Sequence, residues 1–337
     1  MNGLFRLMAS VFFWAFGPMA MAQDAARVSY LWVDGAERSV VEGQLRTGGR
    51  AARVSDRFAV ASTGKAVLAV AVLQLHERGV LDVQQLAAQW LPGDVIKAFG
   101  GMRGINIAHL LQMRSGLPDY YSDAYLNAVL DDPRNQDIDV ALGFATGERR
   151  RFKPGRRFDY SNTNYLLAQL ILERASGLTM AQYYRKHIFG PAGMGHTFVF
   201  GNQPLPGDFV QGMDDLGDGP EDVTFYYRGQ GFGDGPLISS ASDMAAFYRA
   251  LFIERLLIGK ASLAMMLEDP MQENYGMGVE VETLRGLGTV IGHSGGDLGF
   301  SADIRYAPDL DAIAVVLVAE PDADVLGSYD MLRELAR

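Results

Sequence analysis

The sequence predicts an α+β fold in which both chain ends build one antiparallel sheet, flanked by helices, with an all-helical lobe inserted between them. Strand-like segments lie near both ends of the 337 residues, whereas helical patterns dominate residues 81–200. The composition, 48% hydrophobic and 21% charged, is that of a globular protein and excludes disorder, collagen-like repeats and coiled coil. We expect the active site in the cleft between the two lobes.

Residues 1–22 have the three-part pattern of a signal peptide. Arg6 precedes an apolar run over 7–16, and Ala20-Met21-Ala22 supplies the small-x-small pattern before Gln23. An uncleaved anchor would need about 20 continuous apolar residues, and Gly17-Pro18 interrupts this run. We therefore predict cleavage after Ala22, a secreted or periplasmic product, and no stable membrane anchor after cleavage.

Residues 23–337 are predicted to form one domain, with a sheet lobe at about 27–80 and 235–337 and a helical lobe at about 81–234. Strands are predicted at 27–33, 39–45, 276–281, 289–293, 302–306 and 312–318. Helices are predicted at 62–78, 106–112, 126–130, 164–175, 180–188, 240–252 and 322–335. Residues 201–236, rich in glycine, proline and aspartate, indicate a connector or a loop lining the cleft.

The helix predicted at 62–78 has two distinctive features. Residues 66–73 are apolar on every side, which predicts that the helix is buried all round. Gly79 follows its last residue and suits a left-handed C-terminal cap.

Charge and composition restrict the partners. The formal net charge of −10 gives no basic surface for nucleic acid. The absence of cysteine excludes disulfides, cysteine-zinc sites and thiol catalysis. We expect no cofactor and no metal, and a small-molecule or peptidoglycan-derived substrate. The sequence does not indicate an oligomeric state.

The first chemical motif is Ser62-Thr63-Gly64-Lys65. Positions i and i+3 share a helix face, so the lysine can reach the serine hydroxyl. A serine becomes a nucleophile when a neighbour takes its proton, which a lysine can do once its pKa is lowered. Ser62 also stands at the start of a helix, where unpaired N–H groups favour negative charge.

The second motif is Tyr160-Ser161-Asn162, which follows the Pro154-Gly155 turn and precedes a helix. A tyrosine beside a cation can act as a base. The alternative is a packed Tyr160 and a helix-capping Asn162.

The third motif, Gly292-His293-Ser294-Gly295-Gly296, ends a predicted strand. It matches the G-x-S-x-G nucleophile elbow of α/β-hydrolases, whose catalytic histidine follows the serine. None of the five histidines follows Ser294, and no helix pattern follows it, so this interpretation fails. A chymotrypsin-like order allows the histidine but conflicts with the helical middle of the chain.

In this order and spacing the three motifs resemble those of the serine β-lactamase and penicillin-binding protein superfamily, and most closely those of class C β-lactamase-like serine hydrolases. Residues 109–118, 188–194 and 237–243 are similar to the same family. The resemblance covers residues 27–320 and implies a β-lactamase/transpeptidase-like fold.

The resemblance also implies acyl transfer. Ser62 would attack a carbonyl, and Lys65 and Tyr160 would share the proton transfers, with the base left open between them. Asn162 would contact the substrate amide and position Lys65, while His293 and Ser294 would bind substrate. The backbone N–H groups of Ser62 and Gly296 would form the oxyanion hole.

The third motif departs from the Lys-Thr-Gly common in β-lactamases and DD-peptidases. A mostly neutral histidine holds a carboxylate less well than a lysine does. Related esterases, amidases and peptidases carry histidine there. We therefore expect an exported serine hydrolase that cleaves an ester or a D-amino-acid-type amide. The alternatives are a DD-carboxypeptidase or weak β-lactamase, and a non-catalytic protein that senses penicillin or peptidoglycan.

Overall fold

The computed structural model describes residues 25–217 and 219–337. The predicted signal peptide and its cleavage site lie outside the described residues. Within these residues, no helix has both the length and the hydrophobicity needed to cross a bilayer.

A six-stranded antiparallel sheet joins the two ends of the chain. Its strands are β1 (Arg27–Val33), β2 (Ala36–Glu42), β8 (Glu280–Leu284), β9 (Gly288–Asp297), β10 (Phe300–Ala307) and β11 (Ala312–Val318). Their order is β2-β1-β11-β10-β9-β8, so the first and last strands in sequence lie side by side near the centre. This arrangement confirms the predicted fold class.

The helices lie mostly between the two groups of strands. They are α1 (Lys65–Glu77), α2 (Gly93–Ala98), α3 (Ile107–Leu111), α4 (Asp123–Asp131), α5 (Ile138–Ala145), α6 (Thr163–Ser176), α7 (Met180–Tyr184), α8 (Gly190–Ala192), α9 (Ala241–Tyr248), α10 (Lys260–Leu267) and α11 (Gly327–Leu335). Short π-helical turns at Arg185–Phe189 and Arg249–Ile253 extend α7 and α9. α9 and α11 pack on the sheet, and α1 packs on α6.

The helix predicted at 62–78 begins as a 3-10 turn over Ala61–Gly64 and continues as α1. Every residue from Lys65 to Leu75 is buried, which confirms the prediction of a helix enclosed on all sides. Gly79 has φ +69°, the left-handed conformation expected after the helix. The turn that carries Ser62 is therefore continuous with a buried helix.

The central part of the chain also contains short strands that the sequence pattern did not predict. Residues Phe58–Ala59 (β3), Leu237–Ser239 (β7) and Phe198–Val199 (β4) form a three-stranded sheet. Within 201–236, Met213–Asp215 (β5) and Pro220–Asp222 (β6) pair, and Thr224–Arg228 forms a 3-10 turn. The predicted loop is thus partly regular, and the inserted region is not purely helical.

The end of β9 is left unpaired along one edge. β8 pairs with β9 only as far as Glu280 opposite Gly292, whereas β10 accompanies β9 to Asp297. Residues 293–297 therefore have one free edge, and the turn that carries Ser62 packs against this strand.

Candidate active site

The first motif forms the predicted serine–lysine pair. Ser62 lies in the 3-10 turn, and Lys65 is the first residue of α1. Lys65 Nζ lies 2.9 Å from Ser62 Oγ. The i, i+3 spacing therefore brings the two groups within proton-transfer distance.

Lys65 is completely buried, and its other contacts hold the amine in place. Nζ donates to Asn162 Oδ1 at 2.9 Å and to the Asp234 carbonyl at 2.5 Å. Burial lowers the pKa of Lys65 to about 8, although the carboxylates of Asp234, Asp119 and Asp297 favour the charged form. An appreciable neutral fraction of the amine therefore exists near neutral pH.

Tyr160 lies beside Lys65, while its part in proton transfer stays a prediction. Its ring centroid lies 5.1 Å from Lys65 Nζ. Burial raises the pKa of Tyr160 well above its usual value, and the contact with the Ser62 hydroxyl offsets only part of this rise. The phenol is therefore neutral in the resting site.

Asn162 links the second motif to Lys65. Its Oδ1 accepts from Lys65, and its backbone N–H and Nδ2 donate to the Asp119 carboxylate at 2.9 and 3.1 Å. The structure thus shows Asn162 holding Lys65, while its contact with substrate stays a prediction. The capping alternative is not observed, because the Asn162 side chain makes no capping hydrogen bond to α6.

His293 lies beside Tyr160, with ring centroids 6.3 Å apart, but is only 2% exposed. Its Nδ1 is 2.5 Å from the Ser294 carbonyl, and its Nε2 is 3.0 Å from the Tyr275 hydroxyl. Burial lowers the pKa of His293 to about 4, so the ring is neutral at pH 7. Both ring nitrogens have protein partners here, and the predicted contact with substrate stays untested.

Ser294 is held from β8. Glu280 Oε1 accepts from the Ser294 hydroxyl at 2.9 Å and from its N–H at 3.3 Å, and Arg305 binds the other Glu280 oxygen at 2.6 Å. Burial alone would raise the pKa of Glu280, but the Arg305 and His293 charges and the hydrogen bonds from Arg305 and Ser294 together lower it to about 2. A stable carboxylate thus orients the Ser294 hydroxyl, whose role in substrate binding stays a prediction.

The two predicted oxyanion donors are favourably placed. N–H groups alternate between strand edges, so the Gly296 N–H points to the same free edge as that of Ser294. Ser62 is the second residue of the 3-10 turn, and backbone N–H groups at the start of a helical turn have no acceptor within the helix. A Cβ on Gly295 would lie 3.0 Å from Ser62 N, which shows how closely strand and turn approach. Their joint action on a carbonyl oxygen stays a prediction.

Three aspartates near Lys65 were missed by the sequence reasoning. Asp119, Asp234 and Asp297 all influence its charge. Burial raises the pKa of Asp119 and of Asp297 to about 6, and raises that of Asp234. Asp234 lies in the segment 201–236, which was predicted to be a connector or a loop lining the cleft. Asp119 directly follows the segment 109–118, which resembles the family, so both positions had an indirect indication in the sequence. Within the described residues, no three potential ligands are grouped as a metal site requires.

The sequence model of the Beta-lactamase family matches residues 19–334. The chain belongs to the beta-lactamase family. This membership confirms the resemblance and the prediction of a β-lactamase-related serine hydrolase.

Individual relatives extend the comparison. A penicillin-binding protein of Bacillus subtilis is 30% identical over 82% of this chain and 63% of its own length. A D-aminopeptidase of Cereibacter sphaeroides is 28% identical over 64% of this chain and 42% of its own length. The solved structure of a D-stereospecific amidohydrolase from Streptomyces sp. superposes with a TM-score of 0.79 at 25% identity, covering 91% of this chain and 93% of that one. This beta-lactamase family member therefore spans less than two thirds of the curated relatives named here.

Proposed function

We propose that this chain is an exported serine hydrolase that forms an acyl-enzyme on Ser62 and cleaves an ester or a D-amino-acid-type amide. The observation that carries the proposal is the buried Lys65 amine, 2.9 Å from Ser62 Oγ and fixed on two other acceptors. The D-aminopeptidase and D-stereospecific amidohydrolase relatives support the amide as a substrate class. Export rests on the signal-peptide pattern of residues 1–22.

The hydrogen bonds of Lys65 favour the lysine as the base. A neutral amine has two N–H bonds and one lone pair. Asn162 Oδ1 and the Asp234 carbonyl can accept the two N–H groups, which leaves the lone pair directed at the Ser62 hydroxyl. Tyr160 would have to become a phenolate to act in the same way, and burial opposes that charge.

The proposed reaction has two balanced steps. Ser62 Oγ bonds to the substrate carbonyl carbon as its proton passes to Lys65, and the N–H groups of Ser62 and Gly296 stabilise the oxyanion. The bond to the leaving alcohol or amine then breaks, and that group takes the proton, directly from Lys65 or through the Tyr160 hydroxyl. Water next attacks the Ser62 ester, which releases the acid and restores the hydroxyl.

Covalent labelling tests the proposal. The purified protein is incubated with a fluorophosphonate or with a labelled penicillin, and the Ser62 peptide is examined by mass spectrometry, with Ser62→Ala as control. We expect labelling by the fluorophosphonate alone. Labelling by both reagents with slow release would instead indicate a penicillin-binding DD-peptidase or weak β-lactamase. Labelling by neither reagent would overturn the proposal and favour a sensor.

A further inference from the structure

The three aspartates near Lys65 differ in how many of their carboxylate oxygens accept hydrogen bonds. Asp119 accepts three hydrogen bonds, from Asn162 N, Asn162 Nδ2 and Tyr121 N, so both of its oxygens are committed to structure. Asp234 Oδ2 accepts from the Tyr120 hydroxyl at 2.8 Å. Asp297 Oδ1 accepts from the Tyr121 hydroxyl at 3.0 Å and from Leu298 N. Two of the three carboxylates are thus anchored through one oxygen only.

The second oxygen of each anchored carboxylate is available to a ligand. Asp234 Oδ1 and Asp297 Oδ2 accept no hydrogen bond from another described residue, and both residues are partly exposed to solvent. Neither carboxylate forms an ion pair within residues 25–217 and 219–337. Their charges are close enough that Asp234 raises the pKa of Asp297.

Both aspartates belong to segments that adjoin the reacting groups, and the charges of both carboxylates act on Lys65. The Asp234 carbonyl accepts from Lys65 Nζ, which itself contacts Ser62 Oγ. Asp297 directly follows Gly296, the predicted oxyanion donor on β9. Tyr120 and Tyr121, whose rings are 6.0 Å apart, connect the two carboxylates.

The charge of this site is therefore unsuited to an anionic substrate. At pH 7 the Glu280 carboxylate is ionised and His293 is neutral, while burial raises the pKa of Asp297 to about 6 and also raises the pKa of Asp234. Arg305 forms ion pairs with Glu280 and Asp303. In the described part of the chain, the cation in contact with the reacting serine is Lys65. Accessible carboxylate oxygens beside tyrosine rings are suited to an ammonium group.

We infer that the substrate carries a free amino group next to the scissile carbonyl, and that Asp234 and Asp297 bind this ammonium group as specificity-determining residues. An α-amino group is two bonds from the carbonyl carbon, so it stays close to Ser62 when the carbonyl faces the oxyanion donors. The inference rests on the proposed function and narrows its substrate class to amides or esters of unblocked amino acids and peptides.

Binding to the Ser62→Ala variant tests the inference without turnover. Calorimetry compares D-phenylalaninamide with N-acetyl-D-phenylalaninamide, which lacks the charge. The comparison is repeated after adding Asp234→Asn, Asp297→Asn, or the control Glu334→Gln. Glu334 is an exposed residue of α11, and its substitution removes the same unit of charge.

We expect the free amine to bind at least tenfold more tightly than the acetylated compound. Each aspartate substitution should reduce this ratio at least threefold, and the control should preserve it. Equal or tighter binding of the acetylated compound, a ratio that survives both aspartate substitutions, or no binding of either compound would overturn the inference. The proposed function is judged separately, because Ser62 labelling by the fluorophosphonate does not depend on an amino group.

Discussion

The charge of one buried amine governs the chemistry proposed here. Lys65 is fully buried, and burial outweighs three nearby carboxylates, so its pKa falls to about 8. His293 is neutral and buried. The site therefore combines an amine whose pKa is close to neutral pH with several neighbouring carboxylates.

The pH dependence of kcat/KM should report the Lys65 amine. The protonated amine cannot accept the Ser62 proton, so kcat/KM should fall as pH decreases through about 8. Rates on a neutral aryl ester, whose own charge does not change, measure this midpoint. A midpoint above pH 10 would assign the base to Tyr160 instead.

Substitution Ser62→Ala should abolish hydrolysis and change the melting temperature by no more than about 2 °C. The reason is that the side chain is half-buried and its loss removes only its contacts with Lys65 Nζ and the Tyr160 hydroxyl. Aryl-ester hydrolysis measures the loss of activity, and thermal unfolding measures the change in melting temperature. Retained turnover would remove Ser62 from its role.

Residues that meet through local spacing could be predicted from the sequence. Ser62 and Lys65 are three residues apart on one helical turn, and this spacing alone brings them together. Asp234 and Asp297 could not be found in this way. They come together through contacts with Tyr120 and Tyr121, more than 100 positions away in sequence, and an isolated aspartate has no motif.

At the scale of elements, the approach of the Ser62 turn to the free edge of β9 shapes the site. A Cβ on Gly295 would lie 2.9 Å from the Val60 carbonyl and 3.0 Å from Ser62 N. Glycine is therefore required at this position for the turn and the strand to come so close.

Substitution Gly295→Ala should displace the turn from β9 and lower kcat/KM about 100-fold, because small displacements of reacting groups are costly. The Cβ of Gly296→Ala would meet nothing within 4 Å, so this substitution should cost less. Steady-state kinetics of both variants, with circular dichroism as a check of folding, make the comparison. Equal losses would contradict the packing argument.

Element boundaries were predicted well where burial and pairing coincide. β1 and β11 were predicted at their observed limits. β2 was predicted three residues too late, because the strand is exposed and the turn Asp34-Gly35, with φ of +46° and +78°, sets its start. β8 was predicted at 276–281 and lies at 280–284, because Gly276 and Gly278 pack against Met266 and Lys65 rather than pairing in the sheet.

At the scale of the whole molecule, a buried ionic cluster joins the site to the last helix. Arg305 on β10 binds Glu280 on β8 and Asp303 on its own strand, each at 2.6 Å. Asp303 also accepts from Ser328 on α11. The orientation of Ser294 thus depends on contacts that extend to the C-terminal helix.

Substitution Arg305→Met should lower the free energy of unfolding by about 3–5 kcal/mol, because it leaves buried carboxylates without a counterion. The control Arg333→Met breaks the exposed pair with Asp330 and should cost less than about 1 kcal/mol. Urea denaturation measures both values. Equal effects would show that the cluster does not stabilise the fold.

The overall architecture could be predicted because strand patterns occur at both ends of the chain. Strands from the two ends form a single sheet when they pair with each other, as β1 and β11 do. The short strands within 198–239 could not be predicted, because a strand of two or three residues is too short to show an alternating hydrophobic pattern.

The acyl-enzyme on Ser62 is tested most directly by measuring the mass of the enzyme after it has been quenched with acid during turnover of an activated D-alanyl ester. We expect an intact protein heavier by one D-alanyl group, with the added mass on the peptide that contains Ser62 and absent from Ser62→Ala. Turnover that leaves Ser62 unmodified, or an adduct on another residue, would contradict it.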